Sequence, residues 1–122
     1  MAGKKFRCGP VALTNGVANV LNPGTTTGGV GMGSSYGNLR ITMRSIRATN
    51  KSGTPQSFSA WIGATGASAA GSEIVSSKAV PANDSVIIPL ADTPLDVADF
   101  LTMQASANTA ITVEIDGEIG VV

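Results

Sequence analysis

Histidine is absent from the chain, and cysteine occurs once, at Cys8. Without an imidazole, the Ser-His-Asp and Cys-His routes to an activated nucleophile are closed. Zinc and other transition metals lose their usual ligand set for the same reason, and a lone thiol excludes an internal disulfide. Cys8 itself reads as a small buried or tail hydrophobe, because the chain has no histidine to activate it. Aromatics are 4% of the 122 residues, so Phe6, Tyr36, Phe58, Trp61 and Phe100 are the only large pieces of a core otherwise made of Val, Ile and Leu. A core that thin leans on subunit contacts for part of its stability. No apolar run approaches the roughly 20 residues needed to cross a bilayer as a helix. The basic start Lys4-Lys5-Phe6-Arg7 leads into no apolar segment of the kind a signal peptide needs. We therefore expect a soluble chain that is made in the cytoplasm and carries no cofactor.

What is present favours strands. Glycine, serine, threonine and β-branched residues are frequent, and charged residues are sparse at 13%. Leu39, Ile41 and Met43 alternate with Arg40, Thr42 and Arg44, and Phe58, Ala60 and Ile62 alternate with Ser57, Ser59 and Trp61. A period of two marks half-buried strands. Between them, Asn50-Lys51-Ser52-Gly53-Thr54-Pro55 supplies turn chemistry, so residues 39–66 are predicted to form one long β-hairpin. Further strands are expected at Val11–Leu13, Val17–Leu21, Glu73–Val80, Phe100–Ser106 and Ile111–Ile119. Val86-Ile87-Ile88 reads as a buried strand stopped by Pro89, and Thr93–Asp99 as a short helical turn or a corner. Turn signals recur every 8–12 residues, which predicts about eight strands in an antiparallel β-sandwich of jelly-roll or Greek-key type. The domain is set at residues 11–122, with a glycine-rich loop at 24–37 and an extended basic arm at 1–10. That loop is no phosphate cradle: Tyr36 stands where a dinucleotide motif needs glycine, and no Lys-Ser or Lys-Thr follows for a P-loop.

The net charge is zero, but its distribution is uneven. Lys4, Lys5, Arg7, Arg40, Arg44, Arg47 and Lys51 precede every acidic residue, so residues 1–72 carry +7 and residues 73–122 carry −7. Glu114, Asp116 and Glu118 share one face of the last strand. A straight strand supplies too few oxygens for calcium, and a glycosidase pair needs carboxylates from facing elements plus aromatics for the sugar. Arg40, Arg44 and Arg47 form a matching basic stripe, with no aromatic between residues 39 and 53 to stack a base. Neither nucleic acid nor membrane is expected as a partner. The simplest use of the two stripes is cross-strand pairing, and a second is contact between subunits. No arrangement of residues suggests an enzyme.

The runs Ile46-Arg47-Ala48-Thr49-Asn50-Lys51, Trp61-Ile62-Gly63-Ala64-Thr65-Gly66 and Ala98-Asp99-Phe100-Leu101, with the ending Gly117-Glu118-Ile119-Gly120-Val121, resemble small virion structural proteins of tailed bacteriophages. The resemblance covers residues 39–121 and is to the capsid decoration, or cement, type. It implies a β-sandwich located in the virion, a major capsid protein as partner, self-association with a trimer favoured, and no catalytic residues. Tail or head–tail connector components are the alternative within that class. The contact candidates are Lys4, Lys5, Phe6 and Arg7 on an arm that orders on binding, Arg40, Arg44 and Arg47, Trp61, and Glu114, Asp116 and Glu118. Trp61 is also the candidate for a different reading, a carbohydrate-binding module for host attachment.

Overall fold

The computed structural model describes residues 4–23, 29–30, 39–66 and 68–121. Among them every regular element is a strand: β1 (Lys4–Ala12), β2 (Ala18–Leu21), β3 (Gly29–Val30), β4 (Leu39–Asn50), β5 (Gln56–Gly63), β6 (Glu73–Val80), β7 (Asp84–Leu95), β8 (Phe100–Ala105) and β9 (Ile111–Val121). They build two antiparallel sheets, ordered β3-β1-β9-β4-β7 and β2-β8-β5-β6. The pairs β1–β9, β2–β8, β4–β7 and β5–β6 are successive lengths of one ribbon, laid alternately into the two sheets. That arrangement is the jelly roll, and β3 only extends the edge beside β1.

Alternation fills the space between the layers. Ile41, Met43, Ile46 and Ala48 of β4, Phe58 and Ala60 of β5, Leu101 and Met103 of β8, and Ile111, Val113 and Ile115 of β9 are all buried in one cluster. Their neighbours along each strand point outward. In β4 the phase slips by one residue at Arg44, where the register with both β9 and β7 shifts. Strand β7 answers with its own irregularity: Leu90 folds into the core while Ala91 and Asp92 take positive φ (51° and 60°). The β4 bulge lies beside a close backbone approach at Gly117 of β9. A Cβ on Gly117 would clash with the carbonyl oxygen of Thr42, so only glycine allows β9 to lie against β4 there.

Three expectations change against this frame. Residues 39–66 are not a hairpin, because β4 and β5 lie in different sheets and do not pair. The connection is an arch, and Asn50 holds its corner. Fully buried, Asn50 donates from Nδ2 to the carbonyls of Thr54 (2.8 Å) and Val80 (3.1 Å), and its Oδ1 accepts from the amide (2.9 Å) and hydroxyl (2.7 Å) of Ser52. The expected basic arm is strand β1, paired with β9 from Lys4 to Ala12, so the domain boundary at residue 10 falls inside a strand. Phe6 and Cys8 enter the core with 3% and 0% exposure, which is what ties the segment down. The Val86–Ile88 run continues past Pro89 to Leu95, since β7 is an edge strand on which a missing N–H breaks no ladder. Its middle residue, Ile87, points outward and is 65% exposed. Of the two readings of Thr93–Asp99, the corner holds. Strand β7 runs through Thr93-Pro94-Leu95, and the chain then turns where the Asp99 amide bonds the Asp96 carbonyl and the Asp96 amide bonds the Asp99 carboxylate. Most of the expected loop at 24–37 lies outside the described residues.

Candidate functional site

The chain's charge division becomes a pattern on one surface, the outer face of the first sheet. Strand β9 lies between β1 and β4. Its inward residues are the apolar set Ile111, Val113, Ile115 and Ile119, and its outward residues are Thr112, Glu114, Asp116 and Glu118. The acidic stripe is therefore flanked on both sides by basic strands. Lys5 stands opposite Glu118 and Arg7 opposite Asp116 on the β1 side, while Arg47 stands opposite Glu114 on the β4 side. Lys4, Lys5, Arg7, Arg40, Arg44, Arg47, Glu114, Asp116 and Glu118 thus all belong to three adjacent strands of one sheet. Burial of alternate residues fixes this register, because a slip of one position would turn the charges into the core.

The fine structure differs from simple pairing. Asp116 accepts a 2.5 Å hydrogen bond from the hydroxyl of Ser45. Arg44 is exposed at the β4 bulge and has no residue directly across from it. Arg40 stands opposite Gly120 and turns instead to Asp96 at the β7–β8 corner, Nε to Oδ1 at 2.6 Å and Nη2 to Oδ2 at 3.4 Å. Among the described residues this is the one ion pair within 4.0 Å. The facing carboxylates and guanidiniums of β1, β9 and β4 are in register but not locked together, so their charges remain available to a partner. Two shallow depressions flank the Glu114–Arg47 row. One is lined by Arg7, Ser45, Arg47, Ile87, Glu114 and Asp116, the other by Pro10, Arg47, Thr49, Thr112, Val113 and Glu114.

Two candidates do not belong to this surface. Phe6 is core and cannot contact a partner. Trp61 does lie on the outer side of β5, opposite Thr102 and Glu73, but it is only 7% exposed. Its indole N–H reaches Glu73 Oε1 at 3.4 Å, and the same oxygen accepts from the Gly71 amide at 3.0 Å. The stacking platform that a sugar would need is covered. Cys8 is likewise sealed: burial pushes its thiol up to about 11, and its Sγ lies 3.7 Å from the Val20 carbonyl.

Sequence reasoning did not find Asp96, Ser45, Pro10 or Ile87. The bond from Arg40 to Asp96 spans 56 positions and leaves no local signal. Ile87 was findable, since alternation within Val86-Ile87-Ile88 sends one of three side chains outward on any strand with a solvated face.

The fold and this face define a jelly-roll β-sandwich with a charge-striped outer surface. Comparison of the chain with protein-family models, curated proteins and solved structures gave no match in any of the three.

Proposed function

We propose that the chain is a structural protein of a tailed-phage particle, one that binds and stabilises the assembled capsid as a decoration or cement protein. The observation that carries this reading is the outer face of the first sheet. Eight charged side chains of both signs (Lys5, Arg7, Arg40, Arg44, Arg47, Glu114, Asp116 and Glu118) stand on a rigid framework with no catalytic grouping among them. Such a face suits contact with another protein better than a polyanion, because the acidic stripe runs through its middle. Two further points support the reading. The jelly roll is a recurrent architecture of capsid proteins, and the sequence runs in β4, β5 and β9 resemble those of phage virion proteins. With Trp61 covered, the carbohydrate-binding alternative loses its aromatic.

The mechanism is linkage. A protein that binds only the assembled shell stabilises it by mass action, by about 2.7 kcal/mol per site when present at 100 times its dissociation constant. The test is co-sedimentation of the purified protein with empty expanded capsids and, separately, with tails. Binding to capsids that weakens with added salt is the expected result. Binding to tails alone would transfer the protein to the tail or connector, and failure to bind capsids overturns the cement reading.

A further inference from the structure

The rows that cross the first sheet have a symmetry of their own. Arg47 is in register with Glu114 on one side and Ile87 on the other. On β1, Cys8 pairs with Ile115 and Val11 with Val113, which leaves the Gly9-Pro10 bulge opposite Glu114. Across β1, β9, β4 and β7, this row is Pro10, Glu114, Arg47, Ile87: apolar, acidic, basic, apolar. The next rows are Arg7, Asp116, Ser45, Pro89 and then Lys5, Glu118, Thr42, Pro94.

We propose that this face is the contact between two copies of the chain, related by a two-fold axis parallel to the strands and midway between β9 and β4. That rotation lays β4 of one copy over β9 of the other and β7 over β1. Glu114 of each copy then meets Arg47 of the other, and Ile87 meets Pro10. In the neighbouring rows, Asp116 and Glu118 meet the hydroxyls of Ser45 and Thr42, and Arg7 and Lys5 meet Pro89 and Pro94. No like charges are opposed anywhere in these rows. An axis across the strands, or one along β9 or β4, would set acid on acid or base on base, which costs affinity. A shift of the axis toward β1 would leave Ile87, the most exposed large hydrophobic residue described, uncovered. The depressions beside the Glu114–Arg47 row give the partner's projecting side chains somewhere to enter. An isologous contact of this kind closes at two copies.

The inference rests on the assembly reading but assigns this face to a second copy of the chain, leaving other surfaces of the dimer to meet the capsid, and its test contains no capsid, so it can fail while capsid binding stands. Sedimentation velocity of the pure chain is expected to give a dimer that weakens with salt. Arg47→Glu and Glu114→Arg, each checked for folding by thermal melt, are expected to weaken association by about tenfold or more. Mixed one to one, the two variants are expected to recover the dimer, because each reversed charge meets the other across the axis. Ile87→Asp is expected to be monomeric, and its exposed position at a sheet edge keeps it folded. A monomeric or trimeric wild-type chain, single reversals that stay dimeric, or a mixture that stays monomeric would each overturn the proposal.

Discussion

The two outer faces of the sandwich rest on the same core, yet they are finished in opposite ways. The first sheet presents arginine, lysine and carboxylate side chains in stripes, with Ile87 left open at its edge. The second presents Ser57, Ser59, Gln104 and Ala79, with Glu73 engaged by Trp61 and Gly71. Its hydroxyls are used internally: Ser59 accepts from the Ser77 amide, and Ser106 accepts from the Ser57 amide while donating to Gln56. Gln104 donates to the carbonyl of Asn15. One face engages its polar groups with its own strands and loops, while on the other Lys5, Arg7, Arg44, Arg47, Glu114 and Glu118 form no ion pair within 4.0 Å among the described residues. Shared architecture therefore does not make the faces equivalent, and the charge division of the chain serves only one of them.

The largest effect is expected where the striped face depends on a single missing side chain. Gly117 lies between Glu118, opposite Thr42, and Asp116, opposite Ser45. Gly117→Ala would drive a methyl into the Thr42 carbonyl and force β9 from β4, so a loss of about 4 kcal/mol or more, or failure to fold, is expected in urea denaturation. Gly53→Ala, in the arch with nothing within 4 Å of its Cβ, is the control and should stay within about 0.5 kcal/mol.

Next come the residues that seal the quiet side and join it to the other sheet. Trp61→Ala should cost about 3 kcal/mol as a large buried side chain is lost. Asn50→Ala should cost about 2–4 kcal/mol, because the Val80 carbonyl and Ser52 amide lose their buried partner. Trp61, the lone tryptophan, reports on both: the native emission should be that of a buried indole and should shift to the red as the second face opens. A native spectrum typical of exposed indole would contradict the 7% exposure of Trp61 and its bond to Glu73.

Much of this contrast was legible in the sequence, though not its layout. Alternation in residues 39–44 and 111–119 revealed which side chains point outward, and the +7 and −7 division revealed that the stripes were opposite in sign. Neither could say that β9 lies between β1 and β4, because the register of strands so far apart in the chain, Arg7 with Asp116 and Arg47 with Glu114, leaves no local trace. The arch at Asn50 was misread as a hairpin for a related reason. Its turn residues are those of either connection, and the difference lies in where the Asn50 amide finds its partners, one of which is on β6. Trp61 sits where alternation placed it, but its covering depends on Glu73, twelve residues away.

Cys8 offers a smaller test at the rim of the striped face, where β1 carries Arg7 outward and the thiol inward. Its folded-state pKa of about 11 lies above the ordinary value of 9.0, so the native state holds the proton more tightly than the unfolded chain does. The resulting stabilisation is complete below about pH 9 and declines as the pH rises toward about 11. At about pH 8, below both values, the native thiol should resist alkylation, while the unfolded chain should react fully. Rapid native labelling would mean that β1 leaves the sheet, and the striped face with it.

The smallest effect on stability should give the sharpest reading of the comparison. Arg44 stands at the β4 bulge on the striped face, and Ala79 is exposed on the second sheet opposite Ser57. Each can accept a glutamate without entering the core, so neither Arg44→Glu nor Ala79→Glu should shift the thermal midpoint measurably. They should part company in sedimentation. Arg44 lies over the acidic strand of the partner in the two-fold contact, so its reversal adds repulsion and should weaken association several-fold. Ala79→Glu adds a negative charge to a face that plays no part in the contact and should leave association unchanged. If the two variants behave alike, the stripes are only a solvated surface, and the asymmetry between the faces has no role in assembly.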